Sequence, residues 1–295
     1  MSRRDAQELL TVLFGSSAKL SLGTIIEMEK KTCESLKIPY EKVWSYTQEA
    51  NVANVDETGW TIRGKKAWLW DASTDKSSLF RIDRNRNREA CKHLLEKFSG
   101  VATTDRYGVY SYIDDLWRQL CWAHLKRDFQ AIVDRGGPSA QIGKDGLIQI
   151  ENLFRVWSKY KEGEYSWKTM QEKMKPVQKE VKKLLNNGKI IGDKKTSGFC
   201  KQLLKHWTAL WTFTRVKGVE PTNNGAERDL RKAVIWRNIS FGCSSEEGCR
   251  FVERMLTVVQ TLMKQGRDVL EYIEQSIKSK LTGAFPPSII SDPAG

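Results

Sequence analysis

Histidine is scarce in this chain, with three in 295 residues, and the six cysteines form no Cys-x-x-Cys pair. His93, His124 and His206 are too far in sequence from Cys243 and Cys249 to form a recognisable zinc spacing, and scattered thiols without secretory features do not make a disulfide framework. Only 7 prolines are present, and no segment approaches the ~20 consecutive apolar residues of a membrane-spanning helix. The opening Met1-Ser-Arg-Arg-Asp-Ala-Gln-Glu has no apolar signal-peptide core, so the expected location is cytoplasmic, with no membrane partner. What is present is globular: 40% hydrophobic and 29% charged residues suffice for a core and exclude a disordered or collagen-like chain. The 49 Lys and Arg outweigh 36 Asp and Glu, for a net charge of +13. A sequence pI near 9.4 makes a polyanion the expected partner, with nucleic acid first and lysine-rich solvated helices as the plainer explanation.

Periodicity divides the chain. Residues 3 to 14 and 21 to 36 read as amphipathic helices around a Gly-Ser-Ser break, a pattern open to a helix-turn-helix. From Asn51, β-rich runs at 52 to 55, 67 to 70, 79 to 82, 101 to 104 and 119 to 122 predict five strands, with a helix between the third and fourth capped by Asn87 and stopped by Gly100. The order describes an α/β fold with a mixed five-stranded sheet. Helical spacing then dominates, over 166 to 185 despite Pro176, over 197 to about 214, and in a final pair from 246 to 280, before a loose Pro-Pro tail. The domain expectation is a helical segment at 1–50, core at 51–135, helical insertion at 136–220, the rest of the core at 221–283 and a tail at 284–295.

Three acidic residues occupy positions where a sheet protein presents ligands. Asp56 follows the first apolar run, Asp105 follows the fourth, and Glu227 lies one turn into a helix opened by Thr-Asn-Asn-Gly-Ala-Glu-Arg. Hard carboxylate oxygens from neighbouring strands and a helix suit Mg²⁺ or Mn²⁺, and two such ions serve phosphoryl transfer. Among 36 acidic residues some reach strand ends by chance, as turn residues or caps.

The blocks Asn-Val-Asp-Glu-Thr-Gly-Trp (54–60), Thr-Asp-Arg-Tyr (104–107), Cys-Trp-Ala-His-Leu-Lys-Arg-Asp-Phe (121–129), Pro-Thr-Asn-Asn-Gly-Ala-Glu-Arg (221–228) and Ser-Phe-Gly (240–242), in this order, resemble the transposases of the insertion sequence 66 family. The resemblance covers about residues 20 to 281. It implies a ribonuclease H-like core with an Asp-Asp-Glu triad interrupted by a mainly helical insertion before the third acid. Asp56, Asp105 and Glu227 would be the catalytic residues and ligands of two Mg²⁺ or Mn²⁺ ions, cutting DNA at element ends and joining it to target DNA. Terminal repeats, target DNA, a second copy of the chain and accessory proteins of the element are the implied partners.

Other residues carry weaker expectations. Glu57 should face away from Asp56, because adjacent strand side chains alternate. Arg228 and Arg231 suit DNA phosphates or simple neutralisation of the neighbouring carboxylate, and Lys126 and Arg127 join them as DNA contacts. His124 is a candidate either to assist proton movement or to cap the helix that follows. Arg81, Arg84, Arg86 and Arg88 suit a solvated edge or a non-specific DNA track. Larger members of the family carry a longer, cysteine-rich N-terminal region, so the alternative expectation is a truncated, non-catalytic DNA-binding remnant that modulates a full-length transposase; a stand-alone nuclease is a third. Cys243 and Cys249 have no assigned role.

Overall fold

The computed structural model describes residues 3–15 and 20–290. In chain order the elements are α1 (Arg3–Phe14), α2 (Leu22–Ser35), α3 (Lys37–Glu49), β1 (Val52–Ile62), β2 (Lys65–Ser73), β3 (Ser78–Asp83), α4 (Arg88–Leu94), β4 (Val101–Thr104) and β5 (Arg118–Leu120). Then follow α5 (Trp122–Arg135), α6 (Ala140–Lys161), α7 (Trp167–Lys189), α8 (Lys194–Lys205), α9 (Trp207–Leu210), α10 (Asn224–Ser240), α11 (Glu246–Lys264) and α12 (Val269–Thr282). The fold is α/β, with a five-stranded mixed sheet flanked by helices. The chain divides into two compact units, residues 1–100 with 224–295 and residues 101–223.

In the first unit β1, β2 and β3 form an antiparallel meander, with Asp56 opposite Asp71 and Asp71 opposite Phe80. The β1–β2 turn is Arg63-Gly64, both at positive φ. Directly opposed residues share a sheet face, so Trp60, Ile62, Ala67, Leu69, Phe80 and Ile82 form one apolar surface. Leu230 and Ala233 of α10 and Cys249, Val252 and Leu256 of α11 cover it. The hydroxyls of Thr257 and Thr261 on α11 accept from the backbone N–H groups of Phe80 (3.0 Å) and Ser78 (3.1 Å), and Glu253 accepts from that of Ile82 (2.7 Å). The outer edge of β3 is thereby satisfied by a helix rather than left to pair with another chain. Burial raises the pKa of Glu253, while the Arg250 guanidinium at 2.8 Å opposes the rise.

In the second unit β4 and β5 are parallel, and α5 follows β5. Helices α5 and α6 approach closely because α6 carries glycine where they meet. A Cβ on Gly143 would lie 2.8 Å from the Phe129 carbonyl oxygen, and one on Gly146 would lie 2.3 Å from the Phe129 ring. Gly143→Val should therefore destabilise the chain by about 1–3 kcal/mol through overpacking, read as a lower urea midpoint. An unchanged midpoint would show that the two helices can separate without cost.

Several elements differ from their sequence-based outlines. Strand β1 continues through Asp56 to Ile62, with buried positions at Ala53, Val55 and Glu57 on one side and at Trp60 and Ile62 on the other, the change falling at Thr58-Gly59. The helix expected over 197–214 is three pieces, α8, α9 and a 3-10 turn at Thr212–Thr214, and α8 starts earlier because Asp193 caps it by accepting from Lys195 N. Pro176 is accommodated inside α7. The tail expected to be loose is docked as far as residue 290: Ile289 is buried, and carbonyls of Pro287 and Ile289 accept from Tyr272 Oη (2.8 Å) and Gln265 Nε2 (3.0 Å). Residues 291–295 and the serines of the Gly-Ser-Ser break lie outside the described residues.

Candidate active site

In the first unit Asp56 lies in the middle of β1, half-buried, with Oδ1 accepting from the backbone N–H of Glu57 at 2.9 Å. Asn54 precedes it by two residues and shares its face. Gly225, in the first turn of α10, lies so near that face that a Cβ would fall 2.4 Å from Asn54 Nδ2 and 3.1 Å from Ser73 Oγ. Glycine at this position lets the helix start reach the strand, and α10 carries Glu227 in its first turn. The start of α10, whose first turn carries Glu227, thus lies over the face of the meander that holds Asp56.

That side also holds a buried charge network. Asp71, fully buried, lies directly across from Asp56, and neither of its carboxylate oxygens has a hydrogen-bond partner among the described residues. Burial first, then the Asp229 charge, pushes its pKa well above the ordinary carboxylate value; Asp56 adds to the rise and Lys264 opposes it. Asp229 accepts from Ser78 Oγ (2.7 Å) and pairs with Lys264 Nζ (2.8 Å). Lys264 also donates to Ser73 Oγ (2.6 Å), Ser77 O (2.9 Å) and Thr74 O (3.1 Å). Sequence reading missed Asp71, although one acid within Trp-Leu-Trp-Asp-Ala-Ser was a signal.

Glu57 points to the opposite face, as alternation requires. It is buried against Arg86, whose Nε donates to Oε1 at 2.7 Å, and Arg86 lies over the Trp68 ring at 4.6 Å. Arg84 pairs with Glu246, and Arg81 lies over Trp44 at 5.7 Å. The expected track along this arginine run is therefore largely spent on local partners. Arg228 and Arg231 are exposed on α10.

The second unit holds Asp105, which follows β4 directly. Its Oδ1 accepts from Tyr107 N (2.9 Å), and its carbonyl accepts from Arg118 Nη2 (2.8 Å). Buried Arg118 also donates to Thr104 Oγ1 at 2.9 Å, and Arg106 forms a bidentate pair with Asp128, its Nε 2.7 Å and Nη2 3.2 Å from the carboxylate. Cations on either side thus fix the backbone of the strand end from which the Asp105 side chain departs. His124 lies within the first turn of α5, whose N-cap is Cys121. Cys121 holds the N-cap position without a side-chain cap hydrogen bond, and its Sγ accepts from Asn223 N at 3.2 Å. Lys126 and Arg127 are exposed on the same helix.

The sequence profile of the transposase IS66 family matches residues 10–251, a span that includes Asp56, Asp105 and Glu227. The chain belongs to the IS66 transposase family. Two uncharacterised proteins of Sinorhizobium fredii (strain NBRC 101917 / NGR234) are similar to it. One, y4qI, is 26% identical over 248 residues, covering 76% of this chain and 46% of its own length. The other, y4hP, is 23% identical over 206 residues, covering 63% of this chain and 37% of its own. This IS66 family chain thus spans less than half the length of the curated relatives it matches. No helix among its described residues is long and apolar enough to cross a membrane.

As a donor set, Asp56, Asp105 and Glu227 fit the hard divalent cations that transposases of this kind employ. All are carboxylates, and oxygen ligands are what Mg²⁺ and Mn²⁺ prefer.

Proposed function

We propose that the chain is a DNA transposase in which Asp56, Asp105 and Glu227 together hold two Mg²⁺ or Mn²⁺ ions. The observation that carries this reading is the family match, which runs through all three acids. Two divalent cations between such carboxylates would supply charge stabilisation to both the attacking and leaving oxygens of an in-line displacement. Water attacks a phosphodiester at an element end and frees a 3′ hydroxyl, which then attacks a phosphate of the target strand. Asp56 and Glu227 act from β1 and α10, Asp105 from the end of β4. Exposed Arg228, Arg231, Lys126 and Arg127 bind phosphates and hold the strand in line, since catalysis of this type is mostly positioning and electrostatics. His124 is placed in this scheme as a proton acceptor beside the reacting strand.

Binding is the first test. If those four cations contact phosphates, log affinity for duplex DNA should fall against log salt with a slope of about −3 to −4, measured by fluorescence anisotropy. Arg228→Ala combined with Arg231→Ala should bring the slope about two closer to zero. A salt-independent affinity would overturn DNA as the partner.

A further inference from the structure

The exposed side of α10 changes character along its length. Arg228, Arg231, Lys232, Ile235, Asn238 and Ile239 are all exposed and recur three or four apart, which places them along one side of the helix. The basic end adjoins Glu227, whereas the other end is apolar, with Ile235 at 60% and Ile239 at 55% exposure. Just beyond it Phe241 is 83% exposed.

Phe241 is also held in an unfavourable backbone conformation, with φ of +57°. Its N–H donates to Arg237 O at 2.7 Å, and its carbonyl accepts from Thr61 Oγ1. Gly242 follows at φ +95°, so close to β1 that a Cβ would meet Thr61. Cys243 N then donates to Thr61 O (2.9 Å), and Arg63 N to Cys243 O (2.8 Å). The segment is therefore pinned to β1 through its backbone. Glycine would satisfy the left-handed position at no steric cost, and the ring buries nothing in return. A bulky residue kept under strain and in water needs a reason outside the folded core.

Charge indicates what covers it. The tip of the β1–β2 hairpin, pinned to the same segment, exposes Arg63, Lys65 and Lys66. Of the nearby acids of α11, Glu246 pairs with Arg84, and Glu247 is held below the ordinary carboxylate range first by hydrogen bonds from its own backbone N–H and from Ser245, with the Arg63 charge adding to them. A two-fold contact with another copy would set this positive surface against itself. Cations flanking an exposed aromatic are instead the combination that takes single-stranded nucleic acid, phosphates on the charges and a base on the ring.

We infer that Phe241 stacks on an unpaired base of a DNA strand lying along α10, with Arg228, Arg231 and Lys232 on its phosphates. This rests on the reading of the chain as a DNA-binding transposase and adds to it a site for a frayed or overhanging end. At 1.5 Å per residue the ring lies about 20 Å along the helix from Glu227, so the stacked base belongs to the flank of the cleavage point rather than to the scissile step.

The test compares blunt duplex with the same duplex carrying a short 3′ overhang, with 2-aminopurine placed at each overhang position in turn. The full chain should bind the overhang roughly tenfold more tightly and quench 2-aminopurine most strongly at a single position. Phe241→Ala and Phe241→Gly should lose both effects while keeping the affinity for blunt duplex and its salt slope; Phe241→Trp should retain them. The glycine variant suits the left-handed backbone, so a folding defect does not obscure the result. Variants that bind the overhang like the wild type would overturn the inference, as would variants that change only the oligomeric state in light scattering, which would mark a protein interface. Wild type without salt-dependent DNA binding would overturn the transposase reading along with it, separating the two failures.

Discussion

Asp56→Asn, Asp105→Asn and Glu227→Gln should each reduce Mg²⁺-dependent strand cleavage by roughly 10³-fold or more, with duplex affinity nearly unchanged. The magnitude follows from what each carboxylate does in the proposed site: removing one preorganised electrostatic contributor to a transition state costs about 10²–10³, and a lost metal ligand adds to that. Strand transfer should fall with cleavage, because both displacements use the same carboxylates. The readout is labelled DNA bearing the element's terminal repeats, incubated with Mg²⁺ or Mn²⁺. The amides are close in size to the acids they replace, so unfolding midpoints should stay near the wild-type value. If all three variants cleave like the wild type, the triad is wrong. If the wild type binds DNA but neither cuts nor joins, the non-catalytic DNA-binding reading takes its place.

The largest stability effect is expected at Lys264. Its Nζ is the cation for Asp229 at 2.8 Å and also serves Ser73, Thr74 and Ser77. Lys264→Met would leave the buried Asp229 carboxylate facing Asp71 with no compensating charge. Breaking a buried pair from one side costs about 3–5 kcal/mol, which for a chain of this size is a fall in Tm of roughly 5–15 °C. Adding Asp229→Asn should recover part of the loss, since the uncompensated charge is then gone, and the double-mutant cycle isolates the coupling. Additive losses would show that Lys264 acts through its backbone partners rather than through Asp229. Because α11 and α10 meet at this network, the same loss should loosen the helix that presents Glu227.

Much of this was legible along the chain, and the reason is local. Strand alternation and helical spacing are one-dimensional signals, so the five strands and the Asn87-capped helix α4 emerge at nearly their structural places. Alternation alone also separates Glu57 from Asp56. The five ordered blocks carry the family, and the profile match over residues 10–251 agrees. Where local signals were weaker the outlines failed. The sequence of β1 reads as ending at its first acid because a half-buried polar strand side looks like a turn, and residues 197–214 read as one helix because their apolar spacing survives the breaks.

The partners of buried charges were beyond the reach of any such pattern. Asp71, Asp229 and Lys264 are distant in sequence, and their meeting depends on β1–β2 register and on α10 and α11 packing over the same face. The arginine run after β3 shows the converse, since a basic stripe on paper becomes a set of ion pairs and ring contacts once Glu57, Glu246 and the tryptophans arrive. Composition and periodicity establish which elements form and which face each buries, because those are properties of neighbours along the chain. Whether a charge is spent internally or left for DNA depends on long-range contacts, and those exist only when the chain has closed on itself.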